Sequence, residues 1–347
     1  MKILVMGGSY FYGRVFTMSA CEKHELTLLN RGTYPMNDYP VKEIKADRKD
    51  EEAIKEALKE ALSDGGFDAV VDFCAYDDKD VLSILEALGY SDPVAGPSVD
   101  DPSEIGIRGG RLTYILISTA DVLKHVTDKP INDYSPYEDA DIPGQTGEYI
   151  KGKIKAEKAL IDICNKNESI RGVILRPTVI YGPYDYSGRF ASYVQTVINN
   201  KMTFDLTDSD GSFDCIYIGD AVKAIMNAID ACDIHDKADK AYAGKADNDI
   251  ASSGVLKMLI SSDERCSYKI IFDTFEKELK KQGIEADKKS LSVKEAEELG
   301  LPLFFAPYDN ESYKYDIKEF KRFRDSINAG PFTSLEVGLG KTFRFFL

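Results

Sequence analysis

Short apolar runs alternate with longer amphipathic stretches through the first half of the chain. Each run is rich in Val, Ile and Leu and ends at a glycine or a polar residue. This alternation predicts parallel strands that are joined by crossover helices. The predicted strands are Lys2 to Met6, Leu26 to Asn30, Glu43 to Ala46, Ala69 to Phe73, Thr113 to Ser118 and Val173 to Leu175, with helices at Asp50 to Leu62 and Asp77 to Leu88.

The pattern becomes less regular after Pro183, where we predict helices separated by polar turns. We therefore expect an α/β protein with a Rossmann-type doubly wound parallel sheet and a smaller mixed α/β C-terminal domain. The first, cofactor-binding domain is expected at 1–178 with about 213–235, and the substrate-binding domain at 179–212 and 236–347. Ser91 to Ser103, with its three prolines, is predicted to be an exposed loop. The later helices are predicted at Arg189 to Asn199, Gly219 to Ala231, Asp273 to Gln282 and Ser334 to Phe343.

A tyrosine and a lysine stand four residues apart at Tyr149 and Lys153. In a helix this spacing places both side chains on one face. A free phenol has a pKa near ~10, and lowering it toward ~7 requires about 4 kcal/mol of preferential phenolate stabilisation. A fixed ammonium at Lys153, together with a positively charged nicotinamide ring, could supply this. The pair indicates an acid/base site, but a solvated helix with a half-buried tyrosine would show the same spacing.

A glycine-rich turn, Gly7-Gly8-Ser9-Tyr10-Phe11-Tyr12-Gly13, follows the first strand and opens a helix. In this context backbone N–H groups and the helix N-terminus can bind a pyrophosphate. Gly7 suits the tight turn and Gly13 allows close packing of helix on strand, whereas Tyr10 occupies the place of the usual middle glycine. A tight connection with no ligand is the alternative.

The ends of the second and third strands carry the residues that bear on the choice of cofactor. Asn30 stands where NAD-preferring proteins place an acidic residue on the ribose 2′-hydroxyl. Arg31 could instead bind a 2′-phosphate, which favours NADP over NAD, although it could also be a solvated surface charge. Asp47 and Arg48 could border the adenine or form an ordinary turn.

These signals, in this order, resemble the extended short-chain dehydrogenase/reductase family of nucleotide-sugar epimerases and dehydratases, and most of all an atypical branch of it. The resemblance implies that Thr119 is the catalytic Ser/Thr and Tyr149 the acid/base. It implies that Lys153 holds the ribose and lowers the tyrosine pKa. The features that carry the resemblance are the glycine-rich turn, Asp47, Ile117-Ser118-Thr119, Tyr149-x-x-x-Lys153 with Ala156-Glu157, Leu175-Arg176-Pro177, Tyr181-Gly182-Pro183 and Tyr217-Ile218-Gly219-Asp220.

The same resemblance extends to the walls of the site. It implies that Cys74 and Ala75 lie beside the cofactor and that Pro177 and Thr178 form a shelf near the nicotinamide. Thr119 and Thr178 would contact the substrate. Arg189 could hold a substrate diphosphate through its forked donors, or be a surface residue at a helix start.

The residues after Thr119 bear on the type of reaction. The family's 4,6-dehydratases follow the catalytic Thr with Asp and Glu, whereas this chain has Ala120 and Asp121. We therefore expect an epimerase or a simple oxidoreductase acting on a nucleotide sugar. Two alternatives stay open: a non-catalytic NAD(P)-binding protein with a regulatory or RNA-associated role, and a reductase of a non-nucleotide carbonyl.

Composition narrows the class of partner. The 347 residues carry a formal charge of −15, which opposes binding to nucleic acids and anionic membranes. The apolar start is too short for a signal segment or a membrane span, so we expect a cytoplasmic protein. Six Cys without a C-x-x-C pair and three scattered His indicate reduced thiols and no metal site. The resemblance implies a homodimer formed through the Tyr149 helix and the Asp77 to Leu88 helix, although the amphipathic spacing of Ile150, Ile154, Leu160 and Cys164 is equally compatible with packing within the chain.

Overall fold

A computed structural model describes residues 1–63, 65–90, 111–125, 129–209, 211–233, 255–301, 303–305 and 314–347. The predicted loop at Ser91 to Ser103 lies outside these residues. The strands are β1 Lys2–Met6, β2 Glu25–Asn30, β3 Lys42–Lys45, β4 Ala69–Asp72, β5 Leu112–Ile117, β6 Ile170–Pro177, β7 Val179–Tyr181, β8 Met202–Leu206, β9 Phe213–Tyr217, β10 Val255–Ile260, β11 Arg265–Cys266 and β12 Asp287–Leu291. The helices are α1 Phe11–Ala20, α2 Glu51–Leu62, α3 Asp78–Ala87, α4 Gly144–Lys166, α5 Arg189–Asn200, α6 Ile218–Asp233, α7 Tyr268–Lys281, α8 Val293–Glu298, α9 Lys318–Ser326 and α10 Leu335–Phe346.

The main sheet has seven strands in the order β10-β6-β5-β4-β1-β2-β3. Strand β1 pairs in parallel with both β2 and β4, so that Ile3 lies opposite Leu26 on one side and Ala69 on the other. The pairs β2·β3, β4·β5 and β5·β6 are parallel as well. The chain order therefore reverses beside β1, and the prediction of a Rossmann-type doubly wound sheet is confirmed.

Burial explains why the strands read as continuous apolar runs. Every residue of β1, β4 and β5 is buried, as expected for a parallel sheet that is covered by helices on both faces. Helices α2 and α3 begin where the sequence predicted, because Asp50 and Asp77 cap them. The Asp50 side chain accepts from the Ala53 N–H and the Asp77 side chain from the Asp80 N–H.

The chain divides into two compact units. The first comprises Met1–Val122, Pro136–Arg176 and Val222–Leu259, and the second comprises Leu123–Ser135, Pro177–Ala221 and Ile260–Leu347. The second unit contains a three-stranded sheet in the order β11-β9-β7 and a two-stranded parallel sheet of β12 and β8.

These boundaries differ in places from the domain boundaries that we expected from the sequence. Residues 123–135 group with the second unit because the Ile131 N–H donates to Lys314 O and Ile131 O accepts from the Asp316 N–H. Residues 213–217 group there because β9 pairs with β7 and β11. The assignment of cofactor binding to one domain and substrate binding to the other stays a prediction.

Helix α7 begins at Tyr268, five positions before the predicted start at Asp273. The Ser267 hydroxyl accepts from the Ile270 N–H and caps the helix there. Ile271 and Phe272 are buried and continue the apolar face toward the N-terminus. The helical spacing of apolar residues therefore begins before the predicted segment.

Three further expectations concern the cysteines, a metal site and a membrane-spanning helix. Cys21, Cys74, Cys164, Cys215 and Cys266 are free. Among the described residues, no group of three or more His, Cys, Asp or Glu is placed to hold a metal ion. None of the helices in the described ranges combines the length and the apolar character that crossing a membrane requires.

Candidate active site

The backbone of the glycine-rich turn requires glycine at Gly7 and at Gly13, for different reasons. Gly7 has φ +79°, a left-handed conformation, and its N–H donates to Leu29 O at 3.2 Å. A Cβ atom on Gly13 would lie 2.2 Å from Gly7 O. The turn is closed on α1 by the Thr17 hydroxyl, which donates to Gly8 O at 2.7 Å. The two roles that the sequence suggested for Gly7 and Gly13, a tight turn and close packing, are thus present in the structure.

The N-terminus of α1 fits an anionic ligand. The first turn contains no acidic residue, and the N-cap residue Tyr10 makes no side-chain cap hydrogen bond. The first N–H groups of a helix have no intrahelical acceptors, so this end of α1 can bind an anion. Ser9 is buried beside this turn, and Phe11 adopts φ +40°, which is rare for a residue with a side chain. This cradle suits the pyrophosphate of a dinucleotide.

The aromatic residues of the turn face different ways. Tyr10 is 41% exposed, and its ring centroid lies 5.1 Å from that of Tyr34. The ring of Tyr12 is buried, 5.1 Å from that of Phe73 in an edge-to-face contact. Burial raises the pKa of the Tyr12 phenol well above its ordinary value. The Tyr12 side chain is therefore part of the interior packing.

The end of β2 holds Asn30 in a fixed local structure. Its side-chain oxygen accepts from the Gly32 N–H at 2.6 Å, and its amide donates to Glu43 Oε1 at 3.1 Å. The neighbouring Arg31 is exposed. After β3, Asp47 is exposed and accepts from the Lys49 N–H at 3.0 Å. Asp47 thus closes a turn, and Arg31 is the exposed cation at this strand end.

The guanidinium of Arg48 is directed into the protein, and a contact with the adenine stays a prediction. Its Nη1 and Nη2 donate to the two carboxylate oxygens of Asp72 at 2.8 and 3.1 Å. Its Nε lies 3.2 Å from Asp80 Oδ1, without hydrogen-bond alignment. The sequence analysis did not identify Asp72 and Asp80 as partners of Arg48. Asp72, a charged residue at the end of the apolar strand β4, could have indicated a buried ion pair. Arg48 therefore stabilises the end of β4, two residues before Cys74.

This buried charge group fixes the strand end that carries Cys74. Burial would raise the pKa of Asp72, but the Arg48 guanidinium, together with the hydrogen bonds from Tyr114 and the Cys74 N–H, outweighs this effect and holds the pKa below its ordinary value. The Tyr114 hydroxyl and the Cys74 N–H also donate to Asp72, at 2.6 and 2.9 Å. The Cys74 sulfur would lie 3.1 Å from a Cβ on Gly7. Cys74, with buried Ala75 after it, thus stands beside the glycine-rich turn.

Thr119 follows β5 and is buried next to a short 3-10 turn, Ala120–Val122. Its hydroxyl donates to Asp121 Oδ2 at 3.0 Å and accepts from the Asp121 N–H at 3.3 Å. Asp121 itself is exposed. Asp121 is therefore the partner of the Thr119 hydroxyl on both its donor and its acceptor side.

Tyr149 and Lys153 occupy one face of α4, as the spacing predicted. The Lys153 ammonium lies 5.8 Å from the centroid of the Tyr149 ring and donates to Ile117 O at 2.8 Å. Lys153 is only 2% exposed. Burial lowers the pKa of its ammonium to about 8, against the opposing influence of Asp72 and Cys74.

The pKa of Tyr149 is raised in the chain without a bound coenzyme, and its lowering beside a charged nicotinamide stays a prediction. Partial burial, followed by the carboxylate of Asp121 and by Tyr76, raises the pKa of Tyr149 to about 12, while a hydrogen bond with Thr119 lowers it. The chain on its own therefore keeps this phenol protonated at neutral pH. A protonated phenol can donate to a developing alkoxide.

Tyr76 is a residue of this site that sequence reasoning missed. It comes two residues after Cys74, and its ring centroid lies 6.2 Å from that of Tyr149. Thr119, Tyr149, Lys153 and Tyr76 all belong to the first unit, together with the glycine-rich turn.

The remaining predicted residues belong to the second unit. Pro177 is the last residue of β6. The hydroxyl of Thr178, the next residue, donates to Ser261 Oγ at 2.9 Å. Arg189 begins α5, and its Nε donates to Ser187 Oγ at 3.1 Å. Its proposed contact with a substrate diphosphate stays a prediction.

Comparison with protein families gives one assignment. A sequence model described as the NAD dependent epimerase/dehydratase family matches residues 3–242. None of the curated proteins matches the sequence.

Solved structures show the same fold at low sequence identity. A dTDP-glucose 4,6-dehydratase from Bacillus anthracis in complex with NAD has a TM-score of 0.65 at 14% identity, over 100% of this chain and 96% of that one. A UDP-glucuronic acid 4-epimerase from Bacillus cereus with NAD has 0.64 at 19%, over 100% and 98%. A UDP-glucose 4-epimerase from Thermotoga maritima with UDP-glucose has 0.65 at 16%, over 100% and 98%.

Proposed function

The chain belongs to the NAD dependent epimerase/dehydratase family, and we propose that it is an NAD(P)-dependent epimerase or oxidoreductase of a nucleotide sugar. The observation that carries this proposal is the cluster of Thr119, Tyr149 and Lys153 in the unit that also contains the glycine-rich turn. A hydroxyl, a phenol and a buried ammonium in one place form acid/base equipment that packing alone does not require.

The residues around the turn would hold the dinucleotide. The N-terminus of α1 and the backbone of Gly7 to Gly13 would bind the pyrophosphate, with Cys74 and Ala75 as one wall. Hydride exchange with a substrate carbon is the chemistry that the coenzyme supplies when bound. Lys153 would hold the ribose, as its family position implies.

The chain's own residues would handle the proton. Tyr149, protonated at neutral pH, would donate its proton to the oxygen of a keto-sugar, and in the opposite direction the phenolate would accept the hydroxyl proton. Thr119 would orient that oxygen once its hydroxyl turns from Asp121 to the substrate. The Lys153 ammonium would favour the phenolate and so make the second direction accessible.

The residues after Thr119 support epimerisation or simple redox chemistry over 4,6-dehydration. Ala120 offers no acid, and the carboxylate of Asp121 already accepts the Thr119 hydroxyl. The fold itself does not separate the reactions, because a dTDP-glucose 4,6-dehydratase shares it with a UDP-glucuronic acid 4-epimerase and a UDP-glucose 4-epimerase. We propose a uridine diphosphate sugar, the class named for the two epimerases, as the first substrate class to test.

Arg31 supports NADP as the preferred coenzyme. The last residue of β2 is Asn30, whose amide side chain is engaged with Gly32 and Glu43. Arg31 is exposed beside it and could pair with a 2′-phosphate.

A homodimer through α3 and α4 is the assembly that we propose. The two helices pack on each other within the chain, and Leu82 of α3 is an exposed apolar residue. Light scattering of the purified protein would give its mass in solution.

The test of the proposed function is Tyr149→Phe, assayed for turnover of nucleotide sugars with NAD and NADP. We expect turnover to fall by about 100-fold or more, because positioned proton transfer contributes roughly 10²- to 10⁴-fold. Coenzyme affinity should stay within about two-fold, since one hydroxyl is removed from a site with many contacts. Tyr39→Phe is the matched control in the same unit. Full activity of the Tyr149→Phe variant would refute the proposal, and coenzyme binding without any turnover in the wild type would favour the non-catalytic alternative.

A further inference from the structure

The ammonium of Lys153 lies against two aromatic rings. Its Nζ is 4.9 Å from the centroid of the Tyr76 ring and 5.8 Å from that of Tyr149. Both distances are within the range of cation–π attraction, and Tyr76 is the nearer ring. The positive charge thus stands against the electron-rich faces of two tyrosines.

Tyr76 is held in place through both of its backbone groups. Its N–H donates to Asp80 Oδ2 at 2.7 Å. Its carbonyl oxygen lies so close to α4 that a Cβ on Gly152 would be 2.1 Å away. Asp80 in turn accepts from Lys49 Nζ at 2.8 Å. The position of the ring over Lys153 therefore follows from fixed backbone contacts.

Interior packing does not account for the Tyr76 ring. The residue is 50% exposed, and its ring is directed to the face where Tyr149 is also open to solvent. An apolar anchor would be buried. A half-exposed ring beside a buried charge indicates an electrostatic role.

The Lys153 ammonium has few groups to replace its hydration. Across the described ranges, its one hydrogen bond is to Ile117 O. The titratable groups that act on it are Asp72, Cys74 and Glu157, which favour the charged form, and Arg48, which opposes it. A buried ammonium with one acceptor loses solvation that an aromatic face can partly replace, most effectively where water is excluded.

We propose that Tyr76 is a positioning residue of the active site, whose ring keeps Lys153 charged and directed at Tyr149. This inference rests on the proposed function, which gives Lys153 its role. The phenol hydroxyl of Tyr76 is not required for it, because the attraction comes from the face of the ring.

The test separates the ring from the hydroxyl. Tyr76→Phe keeps the aromatic face, and Tyr76→Leu replaces it with apolar bulk. The midpoint of Lys153 titration is measured by NMR in protein labelled with ¹³C at the lysine Cε, and the signal is assigned by its loss in Lys153→Met. We expect the midpoint to fall by about 0.5 to 1.5 pH units in the Leu variant and to stay within about 0.2 units in the Phe variant.

Two outcomes would overturn the inference: an unchanged midpoint in Tyr76→Leu, or an equal fall in Tyr76→Phe, which would assign the effect to the hydroxyl. Tyr76→Trp guards against a folding defect in the Leu variant, because the indole is the strongest π face and should keep the midpoint at or above the wild-type value.

Activity gives the second measurement. In the kcat/KM profile the basic limb should move to lower pH in Tyr76→Leu by the same amount, and stay in place in Tyr76→Phe. The NMR midpoint needs no substrate. If the midpoint shifts in a protein that turns over no nucleotide sugar, the result counts against the proposed function and leaves the role of the Tyr76 ring intact. If the protein turns over a nucleotide sugar but the midpoint does not shift, the proposed function stands and the role of the ring is refuted.

Discussion

Glu157 and Arg176 form an ion pair that is closed to solvent, with Arg176 Nη2 donating to Glu157 Oε2 at 2.6 Å and Arg176 Nε to Oε1 at 3.0 Å. The pair connects α4 to β6. Glu157 also accepts from the hydroxyls of Ser118 and Tyr137, at 2.5 and 2.9 Å. Because Glu157 lies one helical turn after Lys153 and Ser118 precedes Thr119, the pair fixes α4 relative to the end of β5.

Glu157→Gln should destabilise the protein strongly. The variant leaves a buried guanidinium without its counter-charge, which costs about 3 to 5 kcal/mol. Urea unfolding followed by circular dichroism measures the loss. The control is Glu148→Gln, an exposed position on the same helix, where a change within about 0.5 kcal/mol is expected.

A double variant distinguishes a broken pair from a lost helix contact. Replacing both Glu157 and Arg176 with Met should recover most of the stability that Glu157→Gln loses, because no uncompensated charge remains. If the double variant is as unstable as the single one, the hydrogen bonds to Ser118 and Tyr137 dominate.

Lys153→Met should abolish turnover and yet stabilise the fold at neutral pH. The folded pKa of about 8 is below the unfolded value of ~10.4, so the wild type is penalised below pH 8 and gains stability as pH rises between the two values. Removing the charge should therefore raise the free energy of unfolding at pH 7 by about 1 to 3 kcal/mol, at 1.36 kcal/mol per pKa unit.

The pH dependence of this advantage is the sharper measurement. The stability difference between Lys153→Met and the wild type should shrink as pH rises from 8 toward 10.5, because the wild-type lysine loses its proton in the folded state first. Lys155→Met, at an exposed position of α4, is the control and should show no such trend. A constant difference across this range would contradict the lowered pKa of Lys153.

The sequence predicted the doubly wound sheet and the placement of Tyr149 and Lys153 because both depend on local rules. Strand β1 was predicted with its observed bounds, since a fully buried strand leaves a continuous apolar run that ends at Gly7. Tyr149 and Lys153 share a face because helical spacing allows nothing else.

What the sequence could not predict depends on contacts between distant segments. Arg48 turns inward because Asp72 and Asp80, 24 and 32 positions later, offer it carboxylate and carbonyl oxygens. Tyr76 reaches Lys153 because Gly152 admits its carbonyl. The short strands of the second unit, such as Arg265–Cys266, are too brief to produce a periodic signal.

Gly13→Ala should impair coenzyme binding. A Cβ at this position would lie 2.2 Å from Gly7 O, so the turn and α1 must move apart. Such overpacking costs about 1 to 3 kcal/mol, which corresponds to a rise of about 5- to 150-fold in the coenzyme Kd if the turn bears the strain. Fluorescence titration with NADH and NADPH measures it. Ser19→Ala, at an exposed position of the same helix, should bind as the wild type does, and unchanged affinity in Gly13→Ala would remove the turn from the coenzyme site.

Arg31→Ala should weaken NADP binding selectively. A hydrogen bond to a charged group contributes about 1.5 to 3 kcal/mol, so the Kd for NADP should rise by about 10- to 100-fold. NAD lacks the 2′-phosphate and serves as the control within the same protein, with a change of about two-fold or less expected on the same grounds. Equal losses for the two coenzymes would show that Arg31 does not read the 2′ group.

Gly152→Ala should destabilise a helix that alanine ordinarily favours. In an unobstructed helix interior, replacing Gly with Ala stabilises by about 1 kcal/mol. Here the added Cβ would lie 2.1 Å from Tyr76 O, and it can be accommodated only if Tyr76 moves away from α4. We therefore expect a net loss of about 1 to 3 kcal/mol in urea unfolding, and a fall in the Lys153 titration midpoint because the Tyr76 ring leaves the ammonium. Gln145→Ala, exposed near the start of α4, should lack both effects. A Gly152→Ala variant more stable than the wild type would mean that the approach of Tyr76 to this helix is loose, and the ring could then not be fixed over Lys153.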